Sequence, residues 1–325
     1  MSSNVLEVEG LNLAYKTVRG DLLAVKDVSF SLKPGESLGI VGESGCGKSS
    51  TAYALMKMLP PNTSMFTGKI IIDGENVMEL NETELRRKIR WKKIAMVFQG
   101  AMNSLNPVIK VGFQVAEPLI VHENVPKNEA LEKAKELFKL VGLPQDFINR
   151  YPHELSGGMK QRVVIAMSLV LNPKILILDE PTSALDVMIQ AQIMNMLKDL
   201  RKTLNISIVF ITHDIAIASD LCDKIAVMYG GQIMELGSSE QVLLDPKHPY
   251  SAKLIGSIPT LRSDKKLEFI PGAPPDLVNP PPGCRFNPRC PYKFDPCDKS
   301  EPPLYILDGG RQVKCFLYKM KGSGE

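Results

Sequence analysis

"GESGCGKS", residues 42–49, decides the first reading of this chain. It fits the pattern G-x-x-x-x-G-K-[ST], and the flanks on both sides have the character that pattern requires. "SLGIVG" (37–42) is a short apolar run ending in glycine, as a buried strand would be. "KSSTAYALMKML" (48–59) has helical spacing. A glycine-rich turn between strand and helix lets backbone N–H groups close around phosphate oxygens, and the helix N-terminus adds partial positive charge. A chance glycine turn would not carry both flanks. Gly42, Glu43, Ser44, Gly45, Cys46, Gly47, Lys48, Ser49 and Ser50 are therefore the candidate contacts to ATP. Lys48 would reach the β- and γ-phosphates, and the Ser49 hydroxyl would ligate Mg²⁺.

Outward from this loop the chain alternates. "KILILDE" (174–180) and "SIVFITHD" (207–214) read as buried strands. Between them "MIQAQIMNMLKDLRK" puts Ile189, Ile193, Leu197 and Leu200 on one helical face. Its methionines suit core packing better than a soft-metal site. "AVMYGGQIMELG" (226–237) reads as a hairpin turning at Gly230–Gly231. Strands alternating with helices predict an α/β sheet with helices packed on it. Residues 101 to 156 break the alternation with more helix than one crossover needs, including a stripe of Leu131, Ala134, Leu137, Phe138 and Val141. Past residue 240 the composition changes, and "PGAPPDLVNPPPGC" (271–284) cannot sit inside regular structure. The expected division is an ATPase domain over 1–235, with a helical subdomain over about 101–160, and a tail over 236–325.

Composition narrows the class. A chain of 325 residues with 44% hydrophobic and 23% charged residues is globular rather than disordered. A net charge of +3 is too small for a nucleic-acid footprint. The N-terminus lacks a signal-peptide pattern, and no apolar run approaches the ~20 residues of a membrane span. A soluble chain able to dock on a membrane protein is the expectation.

"ILILDE" (175–180) is the natural partner of the phosphate loop, a strand that delivers two acids at its carboxyl end. Asp179 would hold Mg²⁺ through water, and Glu180 would polarise the attacking water. "LSGGMKQR" (155–162) adds a second anion-binding helix start at Ser156, Gly157 and Gly158. One ATP needs one phosphate loop, so a second site implies a γ-phosphate arriving from another subunit. Here the sequence resembles the ATP-binding subunits of ABC transporters, whose signature sequence this matches. Met159 stands where that signature commonly ends in glutamine, with Gln161 two residues on, a variant similar to the peptide-importer branch.

The resemblance implies further roles in chain order. Tyr15 in "LNLAYKT" matches the aromatic that stacks on adenine, with Val25 completing the apolar wall. Gln99 in "MVFQG" matches the glutamine that joins Mg²⁺ and the attacking water to the helical subdomain. Asp186 in "SALD" (183–186) matches the acid of the loop crossing the dimer interface, and His213 in "ITHD" the histidine that contacts the γ-phosphate. The implied fold is a P-loop ABC ATPase: a RecA-like core with a β subdomain, an inserted helical subdomain and a small irregular, cysteine-rich C-terminal tail.

Four of the six cysteines, Cys284, Cys290, Cys297 and Cys315, fall in that tail with the spacing C-x5-C-x6-C-x17-C. A reducing compartment disfavours disulfides. Structural zinc lacks its usual tight C-x2–4-C pairs here. A 4Fe–4S cluster takes four thiolates and has less need of such pairs. The tail and "HPYSAKLIGSIP" (248–259) also resemble the C-terminal region of dipeptide and oligopeptide importer ATPases, some of which carry a cluster. Cluster, zinc and unligated thiols remain open on spacing alone, and the tail is expected to leave ATP binding at Lys48 untouched. Cys46 is expected to be shielded by nucleotide, its helix-start position favouring a lowered pKa.

The resemblance implies a second ATPase subunit facing this one head to tail, two membrane permease subunits and an extracytoplasmic binding protein, at the cytoplasmic face of the membrane. It implies no nucleic acid. Importers of nickel or oligosaccharides, and non-transport ATPases such as an accessory of phosphonate metabolism, are the alternatives.

Overall fold

The computed structural model describes residues 4–257 and 269–321. Ile258 and Pro259, the last two residues of "HPYSAKLIGSIP", lie outside them. The described chain divides into two compact units. The first takes residues 4–7, 31–36 and 71–210; the second takes 8–30, 37–70, 211–257 and 269–321.

In the first unit the strands Ile94–Val97 and Ile175–Asp179 run parallel, with Ile94 opposite Ile175 and Val97 opposite Leu178. Their side chains are buried throughout, which explains why both read as continuous apolar runs rather than alternating ones. The helical stretch contains Val111–Glu123, Lys127–Leu140 and the start of Gly157–Leu169, with short 3₁₀ turns between. These three helices pack on one another. Ala130, Ala134, Leu137 and Phe138 form the buried face of Lys127–Leu140, while Leu131 is only half-buried. Helix Val187–Leu204 buries Ile193, Met194, Met196, Leu197 and Leu200, so two of its methionines are core residues.

In the second unit strand Ser37–Val41 pairs in parallel with Lys224–Tyr229, which turns at Gly230–Gly231 into antiparallel Gln232–Ser238. Both turn glycines have positive φ, at 57° and 83°, as this two-residue hairpin demands. The tail differs from the irregular appendage expected of it. Arg311–Val313 pairs antiparallel with Gln232–Ser238, and Tyr305–Leu307 pairs with Arg311–Val313, so the tail extends the sheet by two short strands. A fully buried carboxylate fastens this extension. Glu235 accepts from Arg311 Nε at 2.9 Å and from the amides of Lys247 and His248 at 2.9 and 2.8 Å. Among the described residues, no helix is long and apolar enough to cross a membrane.

Candidate functional site

In the second unit the phosphate loop sits where the sequence places it, between strand Ser37–Val41 and helix Lys48–Leu55. Gly47 precedes the helix with φ 104° and makes no side-chain cap. A side chain at Gly47 would run into the Ala24 carbonyl, and one at Gly45 would meet nothing within 4 Å. Lys48 is buried, its ammonium donating to the carbonyls of Gly42 at 2.8 Å and Glu43 at 3.0 Å. A buried cation inside a loop of backbone donors is a donor set that fits phosphate oxygens. Ser44 and Gly45 are exposed at the loop tip, while Ser49 and Ser50 are half-buried on the first helical turn. Cys46 departs from the expectation of a lowered pKa. Burial pushes its thiol up, against the opposing pull of Lys48. Tyr15 is half-buried on strand Leu6–Thr17 and Val25 is fully buried on Gly20–Leu32, so Tyr15 is the one that retains surface for a base. His213 is exposed just after strand Ser207–Thr212.

In the first unit strand register assembles the hydrolytic pair. Val97 lies opposite Leu178, so two residues further along each strand Gln99 meets Glu180. Gln99 Nε2 donates to Glu180 Oε2 at 3.1 Å. Asp179 is fully buried at the strand end, while Glu180 is half-buried and has φ 46°. A left-handed glutamate is strained by about 1–3 kcal/mol, and such strain concentrates at functional positions. Ser183 helps hold it, donating its hydroxyl to the Glu180 carbonyl at 2.9 Å. Asp179 in the first unit offers a carboxylate and Ser49 in the second a hydroxyl, each an oxygen of the kind that a hard Mg²⁺ ion prefers.

Ser156 caps helix Gly157–Leu169, its hydroxyl accepting from the Met159 amide at 3.4 Å. Ser156 and Gly157 are exposed, and Gly158 is buried against Ile189. Asp186 is also exposed and acts locally as a helix cap. Its carboxylate accepts from the Ile189 amide at 2.9 Å, at the start of helix Val187–Leu204.

The tail cysteines all carry free thiols. Among the described residues, no group of three or more His, Cys, Asp or Glu side chains is arranged to hold a metal ion. The four thiols do line one cavity, walled otherwise by residues that include Phe286, Phe294 and Phe316. Burial pushes the Cys284 thiol up to about 12 and Cys315 up to about 11.

One feature was invisible in the sequence. Arg289, one residue before Cys290, grips Glu43 of the phosphate loop with both guanidinium nitrogens, at 2.6 and 3.0 Å. The tail therefore contacts the phosphate loop directly. Sequence offers no signal for it, because the partners lie 246 positions apart.

Comparison with known proteins agrees with this geometry. A family model described as ABC transporter matches residues 25–183, and one described as oligopeptide/dipeptide transporter, C-terminal region, matches 234–297. The oligopeptide transport ATP-binding protein OppD of Bacillus subtilis is 47% identical over 97% of this chain and 89% of its own length. The dipeptide transport ATP-binding protein DppD of Caldanaerobacter subterraneus is 46% identical over 98% of each chain. A dimeric ATP-binding cassette solved in a post-hydrolysis state with ADP and Pi is similar in structure. Its TM-score is 0.64 at 31% identity, covering 72% of this chain and 98% of that one.

Proposed function

Because the chain belongs to the ATP-binding subunits of oligopeptide and dipeptide ABC transporters, we propose that it hydrolyses ATP to drive peptide import. The Gln99–Glu180 hydrogen bond carries the reading, since it holds the carboxylate at the end of a buried strand where a water must be oriented. Lys48 and the amides of residues 45–49 bind the phosphates, and Tyr15 stacks on the base. Ser49, Asp179 and Gln99 are the residues that would hold Mg²⁺, which would neutralise charge on the phosphate oxygens. Glu180 accepts the proton of the attacking water, and His213 orients the γ-phosphate. Ser156, Gly157 and Gly158 present an open helix start to the nucleotide of a second ATPase subunit, with Asp186 at the same face. Two permease subunits, an extracytoplasmic binding protein and a position at the cytoplasmic face of the membrane complete the assembly. Residues 1–235 would form the cassette, with its helical subdomain over about 101–160, and 236–325 the extension particular to this branch. Reconstitution with the two permeases and the binding protein tests this: ATP turnover should rise when peptide is supplied. Turnover that rises with nickel or an oligosaccharide but with no peptide would refute the peptide reading.

We further propose that Cys284, Cys290, Cys297 and Cys315 hold one 4Fe–4S cluster that stiffens the extension. The supporting observation is that Cys284, Cys290, Cys297 and Cys315 all line a single cavity. Protein purified without oxygen, with iron and sulfur supplied, should contain about four irons and four sulfides per chain. Stoichiometric zinc without sulfide, or four titratable thiols under those conditions, would remove the cluster.

A further inference from the structure

The segment Cys284–Cys290 carries two arginines next to its terminal thiols, and both lead to the phosphate loop. Arg289, with only 5% of its side chain exposed, forms the two-pronged pair with Glu43. Its guanidinium also donates to Tyr229 Oη at 3.2 Å and to the Pro271 carbonyl at 2.7 Å. Arg285 donates to the Gly230 carbonyl, and the next amide, Gly231, donates to the Cys46 carbonyl at 2.9 Å. Glu43 is thereby held from three directions. Arg289 fixes its carboxylate, its amide donates to Tyr250 Oη at 3.0 Å, and its carbonyl accepts from Lys48 at 3.0 Å. The segment itself is pinned at the thiol site, where the Cys284 amide donates to the Cys297 carbonyl at 2.8 Å.

We propose that this segment is a clasp on the phosphate loop, in which Arg289 is a positioning residue for ATP acting through Glu43, so that nucleotide affinity depends on the four-thiol site. The inference rests on residues 42–49 binding nucleotide and not on which group the thiols hold. Two effects follow from the geometry. The clasp preorganises the loop that must cradle the phosphates, which lowers the cost of binding. It also turns aside and neutralises a carboxylate that would otherwise lie in the same loop as the triphosphate. Without Arg289 that charge is released and repels the nucleotide, an effect that salt screens.

The test is titration calorimetry of the full chain with Mg²⁺–ADP, together with KM and kcat for ATP. Arg289→Met should weaken binding about 10–100-fold and raise KM more than it lowers kcat. Adding Glu43→Gln should recover most of that loss, because it removes the released charge, and high salt should narrow the deficit of the single variant. Arg289→Lys should lie between, since a single ammonium cannot reproduce the two-pronged grip. Cys290→Ser should weaken binding in the same direction. Unchanged affinity in Arg289→Met would overturn the clasp, and so would a deficit that Glu43→Gln fails to relieve, which would mark Arg289 as a folding residue alone. Failure of the unmodified chain to bind Mg²⁺–ADP would strike at the nucleotide reading beneath it.

Discussion

Removing the Glu235 carboxylate should loosen the end of the chain without unfolding the rest. Glu235 is 0% exposed and is satisfied by the guanidinium of Arg311, itself 3% exposed, and by two backbone amides. Glu235→Ala would leave a buried guanidinium with carbonyl partners at Gln241 and Asp245 and, as counter-charge, only the exposed Asp245 carboxylate at 3.6 Å. Breaking a buried pair in this way costs about 3–5 kcal/mol. The cost falls on the pairing of Arg311–Val313 with Gln232–Ser238, which leads into Cys315 two residues later. Local opening of that pairing should become more frequent by about two to nearly four orders of magnitude, at 1.36 kcal/mol per tenfold. Hydrogen exchange reads this directly at the Lys314 amide, which donates to the Met234 carbonyl at 2.8 Å. Pairing Glu235→Leu with Arg311→Met should return exchange part of the way to that of the parent, because it leaves no buried charge but takes the acceptor from the Lys247 and His248 amides. Exchange at Lys314 accelerated less than tenfold in Glu235→Ala would refute the argument that this ion pair fastens the extension.

Glu180→Gln should keep nucleotide binding and lower turnover about 10²–10⁴-fold, measured by phosphate release and by calorimetry in parallel; near-parental turnover would remove Glu180 as the base. Ser156→Arg should leave the monomer's affinity for ATP unchanged and abolish ATP-dependent dimerisation in size-exclusion chromatography. Ser156→Asn, which retains the helix cap, separates loss of the cap from loss of the interface. Gly47→Ala should weaken nucleotide binding about 10–100-fold, because φ 104° is costly for alanine and the new methyl group meets a backbone carbonyl. An affinity within threefold of the parent would mean that the loop rearranges freely.

Features written in contiguous residues are legible from the sequence alone. The phosphate loop, the strand ending at Asp179, the Gly230–Gly231 turn and the helix opening at Ser156 each depend on neighbours within a turn or a strand. The Gln99–Glu180 pair is reached only through family resemblance, since strand register and not local sequence brings them together. The left-handed backbone of Glu180 has no signal, because glutamate is not a residue that advertises positive φ. Arg289 and Glu43 are hidden by their separation along the chain, and so are Arg311 and Glu235. The strands Tyr305–Leu307 and Arg311–Val313 escape a reading by pattern because three residues are too few to show alternation, and prolines nearby argue for loop. Cysteine spacing leaves the thiol site undecided, because a shared cavity is a property of three dimensions.

The two short tail strands have a consequence for solubility. Without them Gln232–Ser238, seven residues long and almost wholly buried, would present one side of its backbone ladder to solvent. Such an unpaired edge is a template on which further chains can stack. Arg311–Val313 covers it, and the rim moves outward to Tyr305–Leu307, which offers three residues and ends against the Asp308–Gly310 turn. A cassette cut after Ser238 would retain residues 42–49 but lose both this guard and the contacts of Arg289 and Tyr250 to Glu43, so that self-association would limit how long it remained in solution.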